Sequence, residues 1–383
     1  MKPPPGLPHS PNQVCKLRKT LYGLKQAPRA WFDKLSNVIL QYGFTQSAYD
    51  SAMFIRKTKR GMVFLLLYVD DMFITGNDLE GISALKLHLS SCFEMKYLGF
   101  LRYFIGIEVD KSSSGYFISQ VKYATNILQR AGLTDNKTVD TPLELNVKLN
   151  CIDGQALPNP TLYRQLVGSF NHLTITRPNI SHAVHIVIQF MSPPRSTHFA
   201  AVLRILRYIK GTLYQRLHFS STYNLRLRAY SDSDWAGDAT DRRSTTSYCM
   251  FLGDSLITRR SKKQTVVSRS SAEAEYITLA HTTSEIVWLQ WILGDMGVPV
   301  SEPTPLFCDN KAAIHIAHHD VFHERTKHIE IDYHFTRHHF QQGTIALPFV
   351  KSEFQIADLF TKSHPSSRLQ FLVSKLSMSS RPS

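Results

Sequence analysis

Long apolar runs are missing from this 383-residue sequence, the longest being the eight residues from Met62 to Val69. A membrane-spanning helix needs ~20, and no basic-then-apolar leader opens the chain, so a soluble, intracellular protein is expected, with no membrane partner. Cysteine is scarce. Cys15, Cys92, Cys151, Cys249 and Cys308 stand singly with no C-x-x-C pair, which excludes a disulfide framework and a cysteine zinc site and leaves them as expected apolar core residues. Acidic residues are also in short supply: 30 Asp+Glu against 44 Lys+Arg give a net charge of +14. That excess points to a polyanionic partner or to a solvated basic surface. It is unevenly placed, with 26 Lys+Arg and 13 Asp+Glu in residues 1–225 but 15 and 17 in residues 226–362. The basicity therefore belongs to the first part of the chain.

What is present is enough to fold. Hydrophobic residues make up 43% of the chain and aromatics 11%, which argues against global disorder, and the length suggests about two or three domains. A proline-rich arm, 1–11, precedes a helical spacing over 30–40. The β-rich run 62–74 is broken by Asp70 and Asp71 and reads as two strands joined at a tight acidic turn. Short strands over 97–118 and a helix over 123–131 lead to a polar connector, 134–160. Helices follow over 163–173, 180–191 and 199–210; on the last, Arg204, Arg207 and Tyr208 share a face that could hold a phosphate backbone. After residue 221 the pattern turns to strands, 225–231, 244–252 and 255–260. A long helix, 272–293, a strand at 306–308, a helix from Asn310, a strand over 344–350 and a helix over 354–361 complete an α/β layer architecture. The main boundary falls near residue 225.

Two acidic sites stand out. Asp70 and Asp71 read either as a solvated turn or as paired carboxylates that need a divalent cation. The second site draws on distant positions. Asp232 lies at the end of an alternating strand, Glu275 beside the apolar stripe of the long helix, Asp309 at a strand end and Asp358 inside the last helix. Each has an ordinary reading, as turn former, N-cap or solvated helix residue. Together they could converge on a sheet surface and hold two magnesium ions ~4 Å apart for an in-line phosphoryl displacement.

The stretch Leu21-Tyr-Gly-Leu-Lys-Gln-Ala-Pro-Arg-Ala-Trp-Phe32, followed by Tyr68-Val-Asp-Asp-Met72, resembles the reverse transcriptase of copia-type LTR retrotransposons. Leu101-Arg-Tyr-Phe-Ile-Gly-Ile-Glu108, Tyr163-Arg-Gln-Leu-Val-Gly168 and Leu173-Thr-Ile-Thr-Arg-Pro178 extend the likeness. It implies that Asp70 and Asp71 are polymerase metal ligands, with Gln26 near nucleotide and template. It also implies a third aspartate upstream of the stretch matching Pro4 to Gly6, so DNA synthesis by this chain alone is not expected.

Tyr230-Ser-Asp-Ser-Asp-Trp-Ala-Gly237, Arg260-Ser-Lys-Lys-Gln264, Ser268-Arg-Ser-Ser-Ala-Glu-Ala-Glu-Tyr276, Cys308-Asp-Asn310, His323-Glu-Arg-Thr-Lys-His-Ile329 and Gln355-Ile-Ala-Asp-Leu-Phe-Thr-Lys362 resemble the ribonuclease H domain attached to those polymerases. That likeness puts Asp232, Glu275, Asp309 and Asp358 at the four metal-ligand positions, with Asp234 and Glu273 as alternatives, and two Mg2+ as cofactor. Arg259 departs from it, standing where tryptophan is usual, and no histidine lies between Val350 and Asp358. The histidine pairs His315/His319 and His334/His338 could bind zinc on a helix or face solvent or substrate.

The expected organisation is a multidomain α/β and α+β chain. It comprises a partial palm (1–105), a thumb/connection-like region (106–225), a ribonuclease H-like domain with a mixed sheet (226–365) and a tail (366–383). Nucleic-acid contacts are expected at Arg204, Arg207, Arg242, Arg243, Arg259, Arg260, Lys262, Lys263, Asn310, Arg325 and Lys327. The expected activity is magnesium-dependent hydrolysis of RNA in an RNA–DNA hybrid. The expected partners are that hybrid and the rest of a Pol polyprotein, in a cytoplasmic particle or the nucleus. The alternative is a degenerate remnant that at most binds nucleic acid.

Overall fold

The computed structural model describes residues 3–18, 21, 23–133, 135–221, 225–238, 240–318 and 330–380. These form two compact units, 1–97 with 291–297, and 98–290 with 298–383. The first contains α1 (Ala27–Gln41), β1 (Thr45–Gln46), β2 (Met53–Thr58), β3 (Gly61–Tyr68), β4 (Asp71–Gly76) and α2 (Leu79–Cys92). Its four described strands pair in the order β1-β2-β3-β4, antiparallel throughout. Strict alternation on β3 buries Val63, Leu65 and Leu67 against Leu35 and Ile39 of α1 and Leu85 and Leu89 of α2, as a sheet with one covered face requires. Pro28 starts α1 in its first turn, and the Asp78 carboxylate caps α2 by accepting from Gly81 N. Tyr68 pairs with Asp71, so the turn is Val69 and Asp70, one residue earlier than the Asp70-Asp71 turn expected from sequence, and Asp71 opens β4. Val69 has φ +52°, a strained conformation for a β-branched side chain.

The second unit opens with β5 (Tyr103–Phe104), β6 (Ile107–Ser112) and β7 (Gly115–Ser119). Four helices follow, α3 (Val121–Arg130), α4 (Thr161–Leu173), α5 (Ser181–Ile188) and α6 (Ser196–Gly211), then β8 (Gln215–Ser220). Next come β9 (Leu227–Asp234), β10 (Thr245–Leu252), β11 (Ser255–Lys263), α7 (Ser271–Asp295), β12 (Thr304–Phe307), α8 (Lys311–His318), α9 (Glu330–Gln341) and β13 (Ile345–Ala346). The chain closes with α10 (Ser366–Ser374) and β14 (Met378–Ser380). One described sheet has the order β14-β8-β7-β6-β5 and the other β11-β10-β9-β12-β13. In the latter β9, β10 and β11 are antiparallel while β12 and β13 run parallel to β9. This is the mixed sheet expected of the ribonuclease H-like part. Among the described residues no helix is long and apolar enough to cross a membrane.

Both faces of the mixed sheet are buried, and β10 shows how. Tyr248 and Met250 face Tyr276, Leu279 and Ile286 of α7, with Ala313 and Ala317 of α8 in the same cluster. Cys249 and Phe251 face the other way, into a core built from α3 to α6, the segment Ile356–Phe360 and α10. Residue 225 thus marks a change of architecture within one continuously packed unit. Residues 366–380, set apart by sequence as a tail, insert Leu369, Leu372 and Leu376 into that core and pair β14 with β8.

Several expectations shift. The helix anticipated over 354–361 is two short 3-10 turns, Ser352–Phe354 and Ile356–Phe360, because the Gln355 side chain donates to Ser231 O (2.9 Å) and accepts from Ala357 N. The strand anticipated at 225–231 runs through Asp234, so Asp232 sits inside it. Cys249 and Cys308 are buried, but Cys92 and Cys151 are exposed and Cys15 is half-buried, contrary to the core expectation.

The packing of α5 has a pH consequence. His182 Nδ1 and His185 Nε2 are buried without a hydrogen-bond partner. Burial, with the charges of His185 and His364, holds His182 down to about 3, and burial with Lys263 holds His185 down to about 4. An unfolded histidine takes up its proton near ~6.5. Between about pH 6.5 and 4 the unfolded chain binds protons the folded chain refuses, so stability falls as pH falls. Urea unfolding at pH 7.5 and pH 5 should differ by ~4 kcal/mol, about 2 from each histidine, and His182→Gln with His185→Gln should flatten that slope. An unchanged slope in the double variant would contradict the assignment.

Candidate active site

Four elements of the mixed-sheet domain bring acids to one place. Asp232 projects from β9, Glu275 from the first turns of α7, Asp309 from the residues after β12, and Asp358 from the turn Ile356–Phe360. Ligand oxygens of Asp232, Asp309 and Asp358 all lie within 4.8 Å of one another, and those of Glu275 and Asp309 meet the same limit together with Cys308 Sγ. Asp309 is common to both groups, so the four sequence-derived acids form one cluster.

Each is held by its surroundings. Glu275 Oε1 accepts from Ser233 N at 3.0 Å, tying α7 to β9. Ser352 Oγ donates to Asp309 Oδ2 at 2.7 Å. Ser247 Oγ donates to the carbonyls of Asp232 and Ala357, pinning the Asp358 segment to the sheet. The Gln264 amide donates to Ala274 O (3.0 Å) and Thr246 Oγ1 (3.1 Å) and accepts from Ser268 Oγ, which fixes the start of α7. The N-cap of α8 is Asn310, whose Oδ1 accepts from Ala313 N, and this leaves the Asp309 carboxylate free for the cluster.

The charge balance fits a hard cation. Burial first, then the charge of Asp358, raises Asp232 above the usual carboxylate range despite Lys362. Burial and the charges of Asp232 and Asp309 push Glu275 well above its ordinary value. Negative charge is thus in excess where the oxygens meet, and an all-oxygen donor set suits Mg2+. Cys308 adds no thiolate, since burial and Glu275 hold its thiol well above normal.

The two alternative acids are placed differently. Asp234 accepts from Thr245 N, and burial lifts it to about 7; a side chain at Gly237 would collide with its carboxylate. Glu273 Oε2 accepts from Arg269 N at the head of α7.

Lys362 closes the Gln355–Lys362 motif, and nothing in that motif alone gives it a role. Its Nζ lies 2.7 Å from Asp358 Oδ1 and 3.2 Å from Asp232 Oδ1, while Thr361 Oγ1 donates to Asp232 Oδ2. Burial lowers the ammonium, but the two aspartates outweigh it and raise it above normal. The readable signal was the i, i+4 spacing from Asp358.

The basic residues divide. Arg204 pairs with Glu144 (3.1 Å) and Arg207 with Asp135 (2.9 Å), so the face of α6 offered for phosphate is internally paired, and Tyr208 is buried with its OH accepting from Asn179. Arg259 turns inward, donating to Thr174 O and Ser181 Oγ. Lys263 binds Asp238 (2.5 Å) and Asp241 (2.9 Å). Arg242, Arg243 and Lys262 are exposed, and Arg260 is half-buried. Arg325 and Lys327 lie outside the described residues, as do His319 and His323. Among the described residues no histidine joins a metal-ligating cluster. Gln26, Asp70 and Asp71 are exposed, and among the described residues no third ligand-bearing side chain groups with the two aspartates.

A mixed ribonuclease H-like sheet carrying an acidic cluster, in one chain with an antiparallel sheet bearing a Tyr-Val-Asp-Asp hairpin, defines a reverse transcriptase and ribonuclease H-like region of the retroelement class. Residues 1–145 match the family model described as reverse transcriptase (RNA-dependent DNA polymerase). The Retrovirus-related Pol polyprotein from transposon RE1 of Arabidopsis thaliana is 42% identical over 384 residues, covering 100% of this chain and 26% of that protein. The transposon Ty5-1 protein of Saccharomyces cerevisiae is 30% identical over 291 residues, covering 75% of this chain and 94% of that protein. Among solved structures, a foamy viral protease-reverse transcriptase in complex with RNA/DNA hybrid aligns at a TM-score of 0.43 and 13% identity, over 87% of this chain and 39% of that one. The chain belongs to the copia-type family of retrotransposon Pol polyproteins, and it spans about a quarter of the length of the RE1 relative.

Proposed function

We propose that the second unit hydrolyses the RNA strand of RNA–DNA hybrids with magnesium. The reading is supported chiefly by the convergence of Asp232, Glu275, Asp309 and Asp358 from four separate elements into one cluster with excess negative charge. Asp232, Asp309 and Asp358 would hold one cation and Glu275 with Asp309 a second. Bound magnesium would supply water activation and stabilisation of the leaving oxygen. The protein's own part is rigidity. The Ser233, Ser247 and Ser352 hydrogen bonds keep the carboxylates aimed at one point before substrate arrives, which lowers the reorganisation cost. Arg242, Arg243, Arg260 and Lys262 would grip phosphates without reading bases, and Asn310, anchored as a helix cap, sits beside the acids where a 2′-hydroxyl would pass.

The test is incubation of the full chain with magnesium and labelled hybrid, RNA duplex or DNA duplex. Cleavage of RNA in the hybrid alone is expected, leaving 3′-hydroxyl and 5′-phosphate ends. Cleavage of none by a folded protein would favour an inactive remnant. We assign no strand synthesis to Asp70 and Asp71 as they stand, since two exposed carboxylates do not fix two ions. Primer extension should give no incorporation; incorporation abolished by Asp70→Asn would overturn this.

A further inference from the structure

We propose that Lys362 is a built-in counter-cation of the acidic cluster, occupying the Asp232–Asp358 edge in competition with a divalent ion. The inference rests on the metal-site reading above. Asp232 and Asp358 are almost fully buried, whereas the Lys362 side chain is 43% exposed. A buried carboxylate pair needs compensation. Lys362 provides it at 3.2 and 2.7 Å through one ammonium that bridges both oxygens. Those carboxylates belong to the three-aspartate group, so the ammonium and an ion placed between Asp232 and Asp358 compete for the same two side chains.

The exposure of the lysine stem gives it a way out. A four-carbon stem on a half-exposed side chain can swing to solvent without disturbing the backbone. The Asp309–Glu275 side carries no ion pair among those described, so the two halves of the cluster are unequal: one is held by the protein's own charge, the other by the neutral donors Ser352 Oγ and Ser233 N. Arg368, 3.5 Å from Asp358 Oδ2, also donates to Ser352 O at 2.8 Å, so it is anchored elsewhere and cannot take the place of Lys362 between the two aspartates. A ligand that binds only when a competing group has moved binds more weakly by the fraction of time that group is away. With Lys362 in place nine-tenths of the time, the penalty is about tenfold.

The experiment is Mn2+ binding by calorimetry, with thermal unfolding in parallel, on the full chain without nucleic acid. Wild type, Lys362→Met and Asp232→Asn are compared. Lys362→Met should bind Mn2+ about tenfold more tightly, melt lower than wild type without metal, and gain more from Mn2+. Lys362→Gln, which keeps an N–H donor without the charge, covers the case in which the Met variant does not fold, and should also bind more tightly. Equal affinity in wild type and both Lys362 variants, with binding weakened by Asp232→Asn, would leave the metal site standing and remove the role of Lys362. Binding indifferent to Asp232→Asn would remove the metal-site reading and the inference with it.

Discussion

Asp232→Asn should reduce hybrid cleavage by ~10³-fold or more while leaving the metal-free protein at least as stable as the parent. The first half follows from the arithmetic of catalysis: an ion is worth several kcal/mol to a phosphoryl transition state, and each ~1.4 kcal/mol is tenfold in rate. The second half is the less ordinary. Asp232 is nearly fully buried and raised by burial and by Asp358, so its carboxylate is a liability to the folded state above pH ~4. A carboxylate whose folded pKa lies above its unfolded one loses the folded state stability as pH rises through that window. The asparagine keeps the shape and removes the charge. Magnesium should raise the melting point of wild type and not of the variant. A variant that melts well below wild type without metal, or that retains more than a tenth of the cleavage rate, would contradict the assignment.

Ending the chain after Pro365 should unfold the second unit. Leu369, Leu372 and Leu376 are buried in the core shared with α3 to α6 and with Cys249 and Phe251 of β10. Removal of a buried leucine side chain costs ~2–5 kcal/mol, so three cost about 6–15 kcal/mol, comparable to the whole stability of a domain. The pairing of Met378, Ser379 and Ser380 with β8 goes as well. Circular dichroism and urea unfolding of the truncated chain should show lost cooperativity, and Leu372→Ala in the intact chain should cost ~2–5 kcal/mol. A truncated chain with an unchanged midpoint would show that the segment is dispensable.

The fold class and the family were legible because they are written in local signals. The alternation of residues 63–67, the Tyr-Val-Asp-Asp turn and the separate motifs around Asp232, Glu275, Asp309 and Asp358 are each contained in a dozen residues or fewer. What was not legible depends on contacts across the chain. The partners of Arg204 and Arg207 lie some sixty to seventy positions away, at Glu144 and Asp135, so a charged stripe that looked free is spent on the connector. Arg259 reaches Thr174, and no periodicity in either segment announces that pairing. The 3-10 turns around Asp358 form because Gln355 bonds to a strand carbonyl 124 residues earlier, and helical propensity yields to that bond. Lys362 differs in kind. Its i, i+4 relation to Asp358 was visible, but its reach to Asp232 required the sheet.

The sharing of one core between the connection helices, the mixed sheet and the last described residues bears on how the chain is born. Synthesis is vectorial, and β9, β10 and β11 emerge about a hundred residues before Asp358, Lys362 and the leucines of α10. Until then one face of β10 is only partly covered and the acidic cluster lacks a member. The growing polypeptide therefore carries an incomplete acidic cluster through the 126 positions from Asp232 to Asp358, about a third of its length, and the cluster closes only when residues 358–380 arrive.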